Sequence, residues 1–185
     1  MKKNEYEVLK EAKKVILAYS GGLDTSVMVT WLRENGAKEV ICVSVDLGQV
    51  EDAKAMEEKA LKSGAEKFYN INVEDEFIEE YGFKSLMAGA KYENVYLLGT
   101  AIARPLISKV LVDVAKKEGA DLIVHGCTGK GNDQIRFELS IMALAPEMKV
   151  LAPWRFWDIK SRSEEEAYAK DHGIKLNFTK EEDYS

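Results

Sequence analysis

Cysteine is scarce: Cys42 and Cys127 stand far apart, so the sequence holds neither a disulfide framework nor a Cys-x-x-Cys metal or redox pair. No basic excess is present. Against 26 lysines and arginines stand 32 acidic residues, and the net charge of −6 argues against nucleic acid or an anionic membrane as the main partner. The charged start Met1-Lys2-Lys3-Asn4-Glu5-Tyr6-Glu7 leads into no long apolar run, so neither a signal peptide nor a spanning helix is expected. A cytoplasmic location is the natural reading. Internal repeats and low-complexity linkers are missing as well. What remains is 185 residues, 46% apolar and 31% charged, enough for one domain with one substantial core. Cys42 sits within an apolar run and reads as core packing.

Strand and helix signals alternate along the chain, the pattern of a parallel sheet flanked by helices. Strands are expected at 15–18, 40–45, 68–73, 122–124 and 149–151, giving an open, doubly wound, five-stranded parallel α/β sheet with helices on both faces. Asn70 and Asn72 alternate with Tyr69, Ile71 and Val73, which places the third strand at an edge with one wetter face. Between the strands, a helix after residue 22 turns Val27, Met28, Trp31 and Leu32 inward, and another begins near Glu51. A helical stretch over 74–90 is broken by Gly82 and Gly89. Arg104-Pro105 opens a stronger helix, with Pro at its first turn and Leu106, Ile107, Val110, Leu111 and Val114 buried. A later helix is expected to hold Ile135, Leu139, Met142 and Ala143. Frayed, mobile ends are expected over the first few residues and 179–185.

Three loops at strand carboxyl ends carry the chemistry, and in an open parallel sheet such loops converge on one crevice. The first is Ala18-Tyr19-Ser20-Gly21-Gly22-Leu23-Asp24-Thr25-Ser26, which runs from a strand into an amphipathic helix. Its glycines let backbone N–H groups approach an anion, and Ser20, Thr25 and Ser26 add hydroxyls at a helix N-terminus. No lysine lies in this turn, which excludes a Walker A loop. Asp24 suits either a magnesium contact or a cap for the following helix. The second loop is Asp46-Leu47-Gly48-Gln49. The third, running over 125–134, packs three glycines among Thr128, Lys130, Asn132 and Asp133, with Arg136 just beyond. Such mixed charge suits a zwitterionic substrate: hydroxyl or amide donors meet its carboxylate, and Asp133 meets its ammonium. His125 fits either a role in proton transfer or a strand-end histidine satisfied by backbone.

The first loop resembles the pyrophosphate-binding loop of the ATP pyrophosphatases, in which it holds the departing pyrophosphate. More specifically, the chain resembles the N-terminal, nucleotide-binding part of the argininosuccinate synthase family. Five further segments carry that likeness: Gly48-Gln49, Tyr96-Leu97-Leu98-Gly99-Thr100, Ala103-Arg104-Pro105, the block 125–139, and Ala152-Pro153-Trp154-Arg155. The resemblance implies an adenine nucleotide alpha hydrolase-like fold and a ligase that joins citrulline to aspartate, turning ATP into AMP and pyrophosphate. It implies ATP on residues 18–26 and Val45, closed over by Val124, His125, Gly126, Gly129, Lys130 and Gly131. Aspartate then falls to Thr128, Asn132 and Asp133, and citrulline to Tyr96, Asn132 and Arg136. Magnesium would accompany ATP, held mainly by phosphate oxygens and water, and no residue stands out as a general base.

Two features depart from the family pattern. Ala101 replaces a serine that reaches citrulline in some members, and the family's chain continues into a synthetase domain. The expected organisation is an ATP-binding domain over 1–175 and a tail, 176–185, that starts the missing domain. Citrulline-dependent turnover by this length of chain is accordingly expected to be weak or absent, with ATP binding retained, and a homo-oligomer or a companion domain would complete the site. Rival readings are a stand-alone ATP pyrophosphatase that adenylates another acceptor and a non-catalytic ATP-binding module.

Overall fold

The structure is a computed structural model that describes residues 4–49 and 52–174. Helix α1 (Glu5–Glu11) opens on a capping box between Asn4 and Glu7 and leads into β1 (Val15–Ala18). Then follow α2 (Leu23–Glu34), β2 (Val40–Asp46), α3 (Ala53–Lys62) and β3 (Lys67–Asn72). A short helix α4 (Glu74–Glu76), a π-helical turn (Phe77–Gly82) and α5 (Phe83–Met87) lead away from the sheet. The chain returns through α6 (Gly99–Glu118), β4 (Leu122–Val124), α7 (Asp133–Leu144) and β5 (Lys149–Leu151). A 3-10 turn (Pro153–Arg155) and α8 (Arg162–Asp171) complete it.

All five strands are parallel, in the order β3-β2-β1-β4-β5. The chain builds outward from β1 to the β3 edge, then crosses back to lay β4 on the other side of β1. That reversal puts the switch point, where ligands bind in such sheets, between the carboxyl ends of β1 and β4. The period of two along each strand divides the core. Val15, Leu17, Val40, Cys42, Leu122 and Val124 face α1, α2, α3 and α8, while Ile16, Ile41, Val43 and Ile123 face α6 and α7. As expected, β3 is an edge strand with largely unburied side chains.

Two local expectations are corrected. Gly82 does not break the helical stretch, because its φ of −62° is ordinary right-handed helix and the turn runs on into α5. Helix α6 begins at Gly99, not Arg104: Ile102 N–H already donates to the Leu98 carbonyl, and Pro105 sits inside the helix. Small residues before the proline extend the helix backwards, and the lost N–H costs one bond in a helix whose other face is well packed. On α7 the buried residues are Phe137 and Ile141, whereas Ile135, Leu139 and Met142 are all more than half exposed. Two apolar stripes compete on this helix, and the one containing the aromatic ring wins the sheet. The expected mobile ends lie outside the described residues apart from residue 4 onward, as do Glu51 and the whole tail 176–185. Among the described residues no helix is long and apolar enough to cross a membrane.

The end of α8 is clipped to α2 by polar contacts. Tyr168 donates its hydroxyl to Glu34, and His172 stacks on Tyr168 with Nε2 2.9 Å from Glu34 Oε1. A bond to the Tyr168 carbonyl and the Glu34 carboxylate raise the His172 pKa. The charged ring therefore stabilises the fold below about pH 6.5, and that contribution fades as pH rises through the raised value. His172→Ala is expected to lower the melting temperature more at pH 5.5 than at pH 8.5. The difference should correspond to less than about 1 kcal/mol because the pair is partly exposed; equal losses at both pH values would refute the linkage.

Candidate functional site

After β1 the backbone turns sharply at Gly21, whose φ of +74° is a left-handed conformation that side chains disfavour. Gly22 is the N-cap of α2, and no side chain caps it. The first N–H groups of a twelve-residue helix thus open toward solvent at the switch point, at the positive end of its dipole. Around them the hydroxyls are arranged by the loop itself. Ser20 Oγ lies 3.3 Å from Thr25 Oγ1 and accepts a long 3.4 Å bond from Gly22 N–H. Ser26 is fully buried; its hydroxyl donates to the Gly22 carbonyl at 2.7 Å and lies 3.1 Å from the Tyr19 hydroxyl. Burial pushes Tyr19 up to about 12, so it stays a neutral phenol whose hydroxyl braces Ser26.

This loop forms one wall of a cleft of about 670 Å³. Ala18, Tyr19, Ser20, Gly22, Leu23, Asp24 and Thr25 line it, whereas Gly21 and Ser26 stand behind. The β2 end contributes Val45, with Leu47 and Gln49 held by a turn in which Gln49 Nε2 donates to the Val45 carbonyl at 2.9 Å. From the β4 end come His125, Gly126 and Cys127, while Val124 itself is buried in the strand. Burial lowers the His125 pKa and Glu138 only partly opposes it. The ring is neutral, accepts from Cys127 N–H at Nδ1 (3.3 Å), turns Nε2 toward Glu138 (3.5 Å) and stacks on Phe137. Its nitrogens are therefore directed into the protein. Cys127 is raised to about 11 by burial and is a thiol, not a thiolate.

Thr128, Gly129, Lys130, Gly131 and Asn132 form an exposed rim beyond the cleft. It is anchored at both ends. Gln134 Nε2 donates to the Gly129 carbonyl at 3.0 Å, and Arg155 reaches Gln134 Oε1 at 2.7 Å and Glu138 as well, which brings the Pro-Trp-Arg motif against the glycine block. At the head of α7, Asp133 is gripped by two guanidiniums: Arg104 Nε at 2.9 Å on one oxygen and Arg136 Nη1 at 2.6 Å on the other. Burial alone would raise the Asp133 pKa, but the bonds from Arg104 and Arg136 outweigh it and hold the carboxyl below its ordinary value. Tyr96, exposed at the surface, is lowered by a hydrogen bond from Thr100 and lies within the field of Arg136. The structure thus brings Tyr96, Asp133 and Arg136 into one neighbourhood.

Four residues in this arrangement carry no role from the sequence. Arg104 and Arg162 line the cleft and supply its positive charge. Glu165 is 1% exposed and hydrogen-bonded to Asp24, so Asp24 meets a buried acid and does not cap the helix. Lys59 of α3 donates to the Gly21 carbonyl at 2.6 Å. Arg104 had a signal in its Arg-Pro motif; Lys59, Arg162 and Glu165 sit in ordinary amphipathic helices and had none.

Comparison with known proteins places this geometry. Residues 14–175 match the family model of the argininosuccinate synthase N-terminal HUP domain. Argininosuccinate synthases are similar in sequence: that of Pelotomaculum thermopropionicum is 58% identical over 93% of this chain and 43% of its own length. Those of Clostridium perfringens (56% over 96% and 44%) and Caldanaerobacter subterraneus (58% over 95% and 43%) agree. The chain therefore spans less than half the length of these relatives. Among solved structures, a predicted subunit of a tRNA methyltransferase from Methanocaldococcus jannaschii superposes with a TM-score of 0.55. It shares 15% identity over 85% of this chain and 75% of that one, a likeness of fold alone. On the family match and these relatives, the chain belongs to the argininosuccinate synthase family, as its N-terminal HUP domain.

Proposed function

We propose that this chain is the ATP-binding half of a cytoplasmic argininosuccinate synthase, holding ATP in the cleft with its β and γ phosphates on the loop of residues 20–26. One observation carries the reading: the uncapped N-terminus of α2 opens at the switch point into a cleft that also presents Arg104 and Arg162. In the proposed reaction the ureido oxygen of citrulline attacks the α-phosphorus, and the bond to the bridging oxygen breaks. Pyrophosphate leaves on the loop. The aspartate amino nitrogen then attacks the citrullyl carbon, AMP departs, and the C–N bond is formed. Amides aimed at the leaving group favour the transition state because charge grows there.

The rim supplies the remaining contacts. Arg136 and Tyr96 face citrulline, with Asn132 between the two substrates, and Thr128 and Asn132 meet the aspartate carboxylate. Asp133 keeps lone pairs beyond its two arginine bonds and offers them to the aspartate ammonium. Chemistry by positioning fits a cleft whose one histidine is turned inward, and orientation alone is worth on the order of 7–11 kcal/mol. Magnesium would enter on the phosphates. Among the described residues no group of three or more His, Cys, Asp or Glu gathers, and Asp24 is the carboxylate that lines the cleft. Asp24 would be the ion's protein contact, and the ion would neutralise phosphate charge. The exposed stripe of Ile135, Leu139 and Met142 is an apolar face of the kind a further domain covers, which suits the synthetase part of the longer relatives.

Calorimetry tests the reading directly. The chain is expected to bind ATP, and inorganic pyrophosphate should compete for the same site. Gly21→Val forces a side chain into a left-handed conformation with its Cβ 3.1 Å from Met56 Cγ. It should weaken both ligands by about tenfold, the size of a local backbone penalty of roughly 1–3 kcal/mol. ATP that binds without competition from pyrophosphate would overturn the phosphate assignment.

A further inference from the structure

We propose that Lys59 is a positioning residue of the phosphate loop, fixing the Gly21-Gly22 peptide so that the Gly22 N–H is presented to the bound pyrophosphate; this rests on the function proposed above. The loop contains no lysine of its own, and helix α3, two elements away in sequence, supplies one from behind. Lys59 Nζ donates to the Gly21 carbonyl at 2.6 Å, a charge-assisted bond across 38 positions of chain. Met56, one helical turn earlier, lies under the Gly21 Cα, where an added Cβ would come within 3.1 Å of its Cγ. Helix α3 therefore holds Gly21 by both shape and charge.

Peptide geometry carries this grip across the loop. No peptide bond among the described residues is cis, and in a trans peptide the carbonyl and the following N–H point in opposite directions. Drawing the Gly21 carbonyl toward α3 turns the Gly22 N–H away from it. The cleft lining agrees: Ser20 and Gly22 face the cavity, and Gly21 does not. Among the described residues that N–H has only the long 3.4 Å contact with Ser20 Oγ, geometry that leaves a good donor available to an anion. Lys59 is half-buried and burial lowers its pKa, so its charge is stronger locally than on an open surface and a neutral substitute would not copy it.

Lys59→Met and Lys59→Arg test the assignment, with inorganic pyrophosphate and adenosine as calorimetric probes. The Gly22 amide is followed in parallel by 15N–1H NMR of the ligand-free protein. Lys59→Met should weaken pyrophosphate about tenfold, the range of one charge-assisted bond, with adenosine affinity within about twofold of wild type. It should also move the Gly22 resonance, and Lys59→Arg should restore most of both. Unchanged pyrophosphate affinity in Lys59→Met, or equal losses for pyrophosphate and adenosine, would overturn the positioning role. The two readings fail separately. A wild-type chain that binds no pyrophosphate defeats the phosphate-loop reading and this one with it. An unmoved Gly22 resonance in a chain that does bind pyrophosphate defeats Lys59 alone.

Discussion

Replacing Glu165 with leucine is expected to stabilise the protein by about 3 kcal/mol at pH 9 and to change little at pH 5, the pH profile of a buried acid that resists ionisation. Glu165 is 1% exposed on the face of α8 that packs on α2. Burial first, then the charge of Asp24 and the hydrogen bond to it, raise its pKa to about 8. Arg162 opposes that shift and Glu166 adds to it. Glu165 Oε1 has no hydrogen-bond partner, which leaves an ionised form poorly solvated. The sign follows from linkage. In the unfolded chain the group ionises near the ordinary 4.5, so folding favours the protonated form, and its contribution is intact below that value. As pH rises toward and through 8, the folded protein must either hold a proton against the solvent or bury a second carboxylate beside Asp24. Urea midpoints of wild type and Glu165→Leu across pH 5 to 9 measure the divergence. Parallel curves would show that the carboxyl is solvated. Glu165→Gln should recover the gain too, since an amide can still donate to Asp24.

The sheet was legible because each strand is a short apolar run bounded by turn residues, and the asparagines at 70 and 72 marked the edge. The sharp turn after β1 was legible for a related reason: two adjacent glycines between a strand and a helix let the backbone take the left-handed conformation found at Gly21. Elsewhere sequence periodicity had two answers. On α7 the stripe of Ile135, Leu139 and Met142 is as apolar as the stripe of Phe137 and Ile141, and nothing local says which one meets the sheet. Pro105 pointed to a helix start because that is where proline costs least, yet tertiary packing carried the helix six residues further back to Gly99. Lys59 and Glu165 were illegible for another reason. Each reaches the loop from an element remote in sequence, through a bond that has meaning only once α3 and α8 have been placed.

Asp133→Ala is expected to weaken aspartate binding to the ATP-loaded chain by about a hundredfold or more, the cost of a charged hydrogen-bond partner together with the groups it orients. Asp133 is the point where two arginines are held. Arg104 bonds one oxygen and rests over the Phe137 ring at 5.7 Å, while Arg136 bonds the other from one turn along α7. Without the carboxylate both guanidiniums remain partly buried and unbalanced, and the ammonium of aspartate meets positive charge where it met an anion. ATP should fare differently. In the proposed site its phosphates would rest on amides of the α2 N-terminus, which Asp133 does not touch, and extra positive charge in the cleft would not repel them, so its affinity should stay within about threefold. Asp133→Asn separates charge from geometry, because the amide oxygen can accept from one arginine but brings no net charge to the ammonium. Aspartate affinity should then fall between wild type and alanine, while ATP binding matches both. Aspartate bound equally by all three proteins would move the amino-acid site away from the head of α7, and a matching loss of ATP would show that Asp133 supports the whole cleft instead of one substrate.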